Sequence, residues 1–371
     1  MHPEYTTYLN SPHSKVGCVK CHIGPGAGWF VKSKLSGIYQ VYAVLSGVYS
    51  IPIKSPVENL RPAYETCEVC HSPKHFYTQK IIHRDYYLSD KNNTKFSLSM
   101  KIKVGGGNPE IGNNEGIHWH MNLANEITYL AIDKEKQIIP WVKAKNRLTG
   151  EETVYQVDGF NIEKALEEGK KLKTMDCIDC HNRPSHIYNP PDKMINLYMS
   201  IGKIDPSIPY IKSIAYSTLE EINTTGKVAQ RDIQNKIWNF YMNKKDIKLD
   251  TATCEKINKA IVEIANIYSK NYFPKMKTNW KTHSNNISHM YSAGCFRCHD
   301  SKHFNLKGES LTKECNTCHL FQTEIMYKDS SNVVKIYDKF LHPGGEDKDI
   351  INQNCIVCHG APKFRKEIFK K

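Results

Sequence analysis

Four cysteines crowd into GCFRCHDSKHFNLKGESLTKECNTCH, residues 294–319. Cys295 and Cys298 form one pair with His299 next in line, and Cys315 and Cys318 form another followed by His319. Two pairs so spaced could clip a zinc ion. A zinc ribbon, however, takes four ligands from two pairs and has no use for a histidine after each. Covalent haem attachment needs that arrangement: the two thiols add to the vinyl groups of one porphyrin, and the next residue turns its imidazole onto the iron. The same Cys-x-x-Cys-His pattern recurs as Cys18/Cys21/His22, Cys67/Cys70/His71, Cys177/Cys180/His181 and Cys355/Cys358/His359, six copies in all. Composition alone predicts roughly 0.02 chance copies of this haem-attachment pattern. The sequence therefore specifies six covalently bound haem c groups, with six proximal iron ligands.

Eleven histidines remain outside the motifs. An iron capped by a second imidazole only passes electrons, whereas one with an open position could act on a small molecule. His75, His186 and His303 trail their motif histidine by four or five residues. That keeps them on the proximal side of their own porphyrin, so any iron they bind belongs to a neighbouring haem. His118 and His120, in GIHWHM, share one face of an expected strand. His13, His283, His289 and His342 each precede a motif closely and complete the set of distal candidates. His2 and His83 read as ordinary surface histidines.

The elements that must position these residues fall between the motifs. KFSLSMKIKV (95–104) alternates apolar and polar residues, the period of a half-buried strand. EITYLAIDKEKQIIPWVKA (126–144) reads as two strands joined at Asp133–Lys136. The spacer after the third motif predicts helices near 192–201, 207–223, 227–243 and 254–270, punctuated by Pro206, Pro209, Gly226 and Pro274. Cys254, the thirteenth cysteine, lies on the apolar stripe of the last helix with Ile257, Ile261, Ile264 and Ile267, and reads as a structural thiol. The expected fold class is α+β, a multihaem cytochrome c of haem-bearing loops and short helices with a small antiparallel β insert and a helical insert. The segments are 1–78 with two haems, a β-rich 79–175, a helical 176–290 with one haem, and 291–371 with three.

The 371 residues carry a formal charge of +13, which invites a nucleic-acid reading. The basic residues are scattered, however, and about two propionates on each of six haems would offset roughly −12 of it, so no nucleic-acid partner is expected. Only KFRKEIFKK (363–371) is a concentrated basic run. No apolar run is long enough to span a bilayer. The first residues lack the basic leader and apolar core of a secretory signal, although thioether attachment of haem requires export. A mature or shortened form is the expectation.

The stretch HPEYTTYLNSPHSKVGCVKCHIGPGAGWFVKSKLSGIYQVYAV (2–44) resembles the periplasmic part of the NapC/NirT cytochromes, membrane-anchored quinol dehydrogenases. There a Tyr-x-x-Ser/Thr-x-His element precedes a haem motif and a basic amphipathic helix follows. MDCIDCHNRP (175–184) and residues 294–319 are similar to the longer multihaem members of that group. The resemblance implies bis-histidine haems, His13 as an iron ligand and Lys34 near a quinol site. It also implies a periplasmic location, at the inner membrane, with membrane association through a segment absent from this chain. A quinol-linked membrane donor or another cytochrome would supply electrons, and a periplasmic reductase or carrier would accept them. A reductase or oxidase of a small nitrogen or sulfur compound, and a subunit of a polymeric cytochrome wire, are the alternatives. Substituting His319→Ala is expected to leave the haem attached through Cys315 and Cys318 while shifting its spin state and potential, as read by its absorption spectrum.

Overall fold

The computed structural model describes residues 1–24, 26–57, 60–72, 78–106, 116–328, 331–335 and 354–359. It shows an α+β fold in which a helical unit and two antiparallel sheets carry the cysteine motifs on short turns. The N-terminal part contains α1 (His2–Leu9), α2 (Cys18–His22), α3 (Ala27–Ser46) and α4 (Ala63–Thr66). Strands β1 (Lys80–Tyr87), β2 (Lys95–Ile102), β3 (Asn125–Leu130), β4 (Trp141–Asn146) and β5 (Glu152–Val157) follow. Then come α5 (Ile162–Glu167), β6 (Leu172–Thr174), α6 (Cys177–Cys180), α7 (Pro191–Ser200), α8 (Ile211–Glu221), α9 (Gly226–Met242) and α10 (Thr251–Asn271). The C-terminal part supplies β7 (His303–Phe304), β8 (His319–Lys328), β9 (Ser331–Lys335) and a last helical turn, Ile356–His359.

Helices α7 to α10 form the largest core, and their sequences dictate it. On α9, Ala229, Ile233, Ile237 and Tyr241 recur every four residues and are all buried. On α10, Ile257, Ile261, Ile264 and Ile267 recur every three or four residues and are buried too, and Cys254 sits half-buried at the head of that stripe. Each helix hides one apolar face against the others, which is where most helical stability in a folded protein originates. Polar side chains close the gaps between layers. The Tyr241 hydroxyl donates to the Pro209 carbonyl at 2.8 Å, and the Asp250 carboxylate caps α10 by accepting from Thr253 N at 2.9 Å.

The sheets depart from a self-contained insert. One has the order β1-β2-β8-β9 and the other β6-β3-β4-β5-β7. Both therefore take strands from beyond residue 300, and residues 79–175 do not close a sheet architecture alone. Strand β2 starts where expected and ends at Ile102, two residues before the expected 104, with Phe96 and Leu98 buried; Ser97 between them is also buried, its hydroxyl on the Asp85 carboxylate. Asn93 in the β1–β2 turn reaches the helical unit, its side-chain amide donating to the carbonyls of Pro206 at 3.0 Å and Ile208 at 2.8 Å. The GIHWHM stretch corrects the expectation of a strand: Ile117–Met121 is a 3₁₀ turn, with Gly116 at a φ of 134° that a side chain rarely adopts. In a helix of three residues per turn, side chains two apart diverge rather than share a face. Replacing Ile237, fully buried in α9, with Ala is expected to cost about 2–5 kcal/mol, read from the midpoint of chemical unfolding.

Candidate functional site

Each described motif folds as a single helical, 3₁₀ or hydrogen-bonded turn. The histidine backbone N–H donates to the carbonyl of the first cysteine in four of them: His71 to Cys67 at 2.8 Å, His181 to Cys177 at 2.8 Å, His299 to Cys295 at 3.0 Å and His359 to Cys355 at 2.9 Å. One turn brings residues three apart onto the same side, so both thiols of a pair face one way. Local sequence enforces the turn. Asp176 and Asp179 form a capping box at α6, and Gly294 takes a φ of 52° where a Cβ would collide with the Ser288 carbonyl.

The thiols are not enclosed to the same degree. Cys70 and Cys358, both expected as haem anchors, are exposed, whereas Cys67 and Cys355, the first cysteines of the same pairs, are half-buried. The turns themselves do not differ: the backbone N–H of the second cysteine bonds to the carbonyl of the first in Cys70/Cys67 at 3.1 Å, in Cys358/Cys355 at 3.2 Å and in Cys298/Cys295 at 3.3 Å, although Cys298 is half-buried. What packs against each turn therefore sets the exposure. Cys18, Cys21 and Cys315 are exposed as well, while both members of Cys177/Cys180 and Cys295/Cys298 are half-buried. Exposure keeps a thiol reachable for covalent chemistry, so it moves Cys70 and Cys358 to the surface without taking them from their pairs.

None of the cysteines is joined in a disulfide. Burial pushes Cys177 and Cys180 up to about 11 and Cys298 up to about 12, so these thiols are protonated in the unliganded chain. Among the described residues no three His, Cys, Asp or Glu side chains converge on a metal-sized point.

The motif histidines instead face other histidines. Ring centroids lie 6.2 Å apart for His22 and His186, 6.1 Å for His71 and His13, and 6.3 Å for His181 and His118. His299 and His120 lie 5.9 Å apart, and His319 and His289 6.2 Å. Two metal–nitrogen bonds of about 2 Å plus roughly 1 Å from each nitrogen to its ring centre span about 6 Å, so each gap admits one iron between two imidazoles. The donor set fits haem: two thiols and one imidazole on a turn, and a second imidazole across.

Hydrogen bonds fix which ring nitrogen is available. Nδ1 of His118 reaches the Val104 carbonyl at 2.6 Å, that of His120 the Ile117 carbonyl at 2.9 Å and that of His186 the Glu4 carbonyl at 2.9 Å. Longer contacts join Nδ1 of His13 to the Pro184 carbonyl at 3.4 Å and that of His299 to the Thr312 carbonyl at 3.3 Å. A carbonyl only accepts, so Nδ1 carries the proton and the Nε2 lone pair is left for a metal. Arg183 holds the His186 side in place, with Nη2 on the Glu4 carboxylate at 3.2 Å and Nε donating to the His186 carbonyl at 2.7 Å.

The other candidates are placed differently. His303 is buried and hydrogen-bonded at both nitrogens, to the Asp300 carboxylate at 2.8 Å and the Ile139 carbonyl at 2.6 Å, which occupies both ring positions. His283 lies beside Tyr188, with centroids 6.4 Å apart. His75 and His342 lie outside the described residues, as does the basic tail at 363–371. His2 packs edge-on against Phe273, and His83 shares a hydrogen bond with Ser99. Lys34 is exposed on α3, its Nζ 5.0 Å from the Phe30 ring centre.

Sequence reasoning missed the cluster that joins two motifs. Asp179, inside the third motif and buried, accepts from the Tyr129 hydroxyl and from Lys136 Nζ, both at 2.6 Å. Arg297, inside the fourth, donates through Nη2 to the Asp179 carbonyl at 2.8 Å and through Nη1 to the Lys136 carbonyl at 2.9 Å. A charged residue between the cysteines of a motif was the available signal. Desolvation also acts on the imidazoles, and pushes His120 down to about 4 from the ordinary 6.5.

No family model matches the chain, and no solved structure does. Among curated proteins, the chain is similar to the cytochrome c-type protein ImcH of Geobacter sulfurreducens, with 40% identity over 369 residues that cover 97% of this chain and 70% of that protein. An identity of that size, carried over nearly the whole chain, places it with ImcH in one family of c-type cytochromes, proteins that carry covalent haem and transfer electrons outside the cytoplasm.

Proposed function

We propose that the chain is a six-haem electron carrier of the cell envelope in which two imidazoles hold each iron. The observation that carries this reading is the set of five facing histidine pairs about 6 Å apart, each uniting a motif with a residue distant in sequence or on another element. His22, His71, His181, His299, His319 and His359 would be the proximal ligands. His186, His13, His118, His120 and His289 would oppose the first five in that order, and the partner of His359 is to be sought among His75, His283 and His342. His303 is dropped from the set because both its nitrogens are engaged. When bound, each haem supplies a one-electron ferric–ferrous couple that needs no open coordination site.

The protein's part is to hold, orient and screen. Cys18/Cys21, Cys67/Cys70, Cys177/Cys180, Cys295/Cys298, Cys315/Cys318 and Cys355/Cys358 would anchor the rings, with Cys70 and Cys358 as the surface-side thiols of their pairs. Contacts between motifs support a relay. The Ala63 N–H, four residues before Cys67, approaches the Asp176 carboxylate at 3.5 Å, and Arg297 bonds the third motif to the fourth. His118 and His120 on one 3₁₀ turn serve the third and fourth motifs. Val104 accepts from His118 while its neighbour Lys103 donates to the Cys318 carbonyl at 2.9 Å, tying in the fifth. A quinol-linked membrane donor or another cytochrome on one side, and a periplasmic reductase or carrier on the other, are the proposed partners, with Lys34 a proposed quinol-site residue.

Intact mass of protein matured in haem-attaching cells is expected to exceed the bare polypeptide by six haems. Low-temperature electron paramagnetic resonance is expected to show low-spin ferric iron. His118→Ala and His120→Ala should each convert one iron, and a different one, to high spin without loss of mass. A bare-chain mass, bound zinc, or unchanged spectra in both variants would remove the assignment.

A further inference from the structure

The turn between β3 and β4 holds a lysine in a backbone conformation that lysine seldom adopts. Lys136 has a φ of 56°, in the left-handed region where glycine or asparagine is the usual occupant. A conformation of this kind persists where the surroundings hold it, and it points to a use for the side chain. The surroundings do hold it. The Asp133 carboxylate accepts from the backbone N–H groups of Gln137 at 3.0 Å and Ile138 at 2.8 Å. The buried Gln137 side chain donates to Asn286 Oδ1 at 3.2 Å, and Asn286 Nδ2 donates to the Asp179 carbonyl at 3.1 Å. Arg297 bonds the backbone carbonyls of both Lys136 and Asp179. The turn is thereby fastened to the third and fourth motifs without help from the Lys136 side chain.

What that side chain adds is charge. Its ammonium lies 2.6 Å from Asp179 Oδ1. The Asp179 side chain is 6% exposed, and among the described residues Lys136 is the one cation on that carboxylate. Arg297 bonds the backbone carbonyl instead. A buried carboxylate without a counter-ion acts strongly on its neighbours, because little water is present to screen it. The Lys136 side chain is 23% exposed, so solvent weakens its field more than that of the carboxylate. The thiol anchors of two motifs stand close enough to feel these charges. Burial acts first on Cys180, followed by the charges of Arg297, Cys295 and Asp179. Burial also leads on Cys298, followed by Arg297 and Cys180, so the Asp179 charge bears more on the third motif than on the fourth.

We propose that Lys136 sets the reduction potential of the third haem by neutralising the buried Asp179 carboxylate, with a smaller effect on the fourth. Reduction adds one electron to a ferric iron and lowers the charge of the site by one. A bare negative charge nearby opposes that change, and a compensated one does not. The relay runs through the third motif, between the contact of Ala63 with Asp176 and that of Arg297 with Asp179. A third haem pulled down by a bare carboxylate would be an uphill step in that run, and Lys136 removes it. The inference rests on the reading that haem is attached at the third and fourth motifs.

The test is a redox titration of the matured full chain, followed by haem absorption, with dithionite as reductant and ferricyanide as oxidant beside mediators. K136Q is expected to shift one component to lower potential, by about tenfold in its ferrous-to-ferric ratio (~59 mV for one electron), and a second component less. The component that His118→Ala also moves identifies the third haem. D179N removes the opposite charge and is expected to shift the same component upward, with K136Q/D179N returning it towards wild type. K136R should keep the wild-type curve. K236Q, the same charge change at an ion pair with Glu221 on the helical unit, should leave every component in place. Loosening of the turn alone would move K136Q and D179N in one direction, and that result would overturn the proposal. Should D179N fail to fold, since Asp179 also belongs to the capping box of α6, K136Q against K136R still decides. Intact mass separates the two readings: a chain short of haem overturns the six-haem reading and this proposal with it. Full mass with an unmoved K136Q curve overturns this proposal alone.

Discussion

An imidazole can hold a metal only through a nitrogen that is free of its proton and aimed at the ion, and this requirement organises the molecule. His118, His120 and His186 meet it in one way: a backbone carbonyl takes the Nδ1 proton and leaves Nε2 directed outward. The carbonyls belong to different elements, Val104 just after β2, Ile117 on the same 3₁₀ turn, and Glu4 on α1. Sheet, turn and helix thus converge on the aim of individual rings.

This explains why the sheets are assembled from distant segments. Strand β8 begins at His319 itself and pairs with β2, with His319 opposite Ile102. The residues just after Ile102 then hold His118, which faces His181. A ladder of backbone hydrogen bonds therefore connects the fifth motif to the segment that faces the third motif's histidine. The helical core contributes differently. Its buried isoleucines make α7 to α10 a stable block against which the loops carrying His186, His283 and His289 are arranged, and function sits on loops held by such a scaffold.

The polar cluster of Asp179, Arg297, Tyr129 and Lys136 is the counterpart at the junction of two motifs. Buried charge is costly unless paired and hydrogen-bonded, and here the carboxylate and guanidinium are each met by several partners. Such a cluster fixes geometry more than it adds stability. It sets the relative position of the α6 turn and the Gly294–Arg297 turn, and with them the two thiol pairs.

Residue order by itself determined the local chemistry. Cysteines three apart with histidine next are on one turn whatever surrounds them, so the haem motifs were legible without a fold. The same holds for the four long helices, whose apolar spacing is a one-dimensional signal, and for strands β2, β3 and β4. How deep each thiol lies was not legible, because the exposure of Cys70 and Cys358 depends on what packs against their turns rather than on the motif. Tertiary structure alone decided which imidazole meets which. His13 and His71, or His120 and His299, are separated by long stretches of chain, and no periodicity encodes a contact at that range. It also turned GIHWHM from a strand into a 3₁₀ turn, because Gly116 takes a positive φ and the Ile117 and His118 backbone N–H groups bond to the Lys103 and Gly105 carbonyls, and so sent two neighbouring histidines to two different motifs. His303 illustrates the same limit: its spacing from His299 matched a ligand, while its two hydrogen-bond partners come from a fold that spacing does not describe.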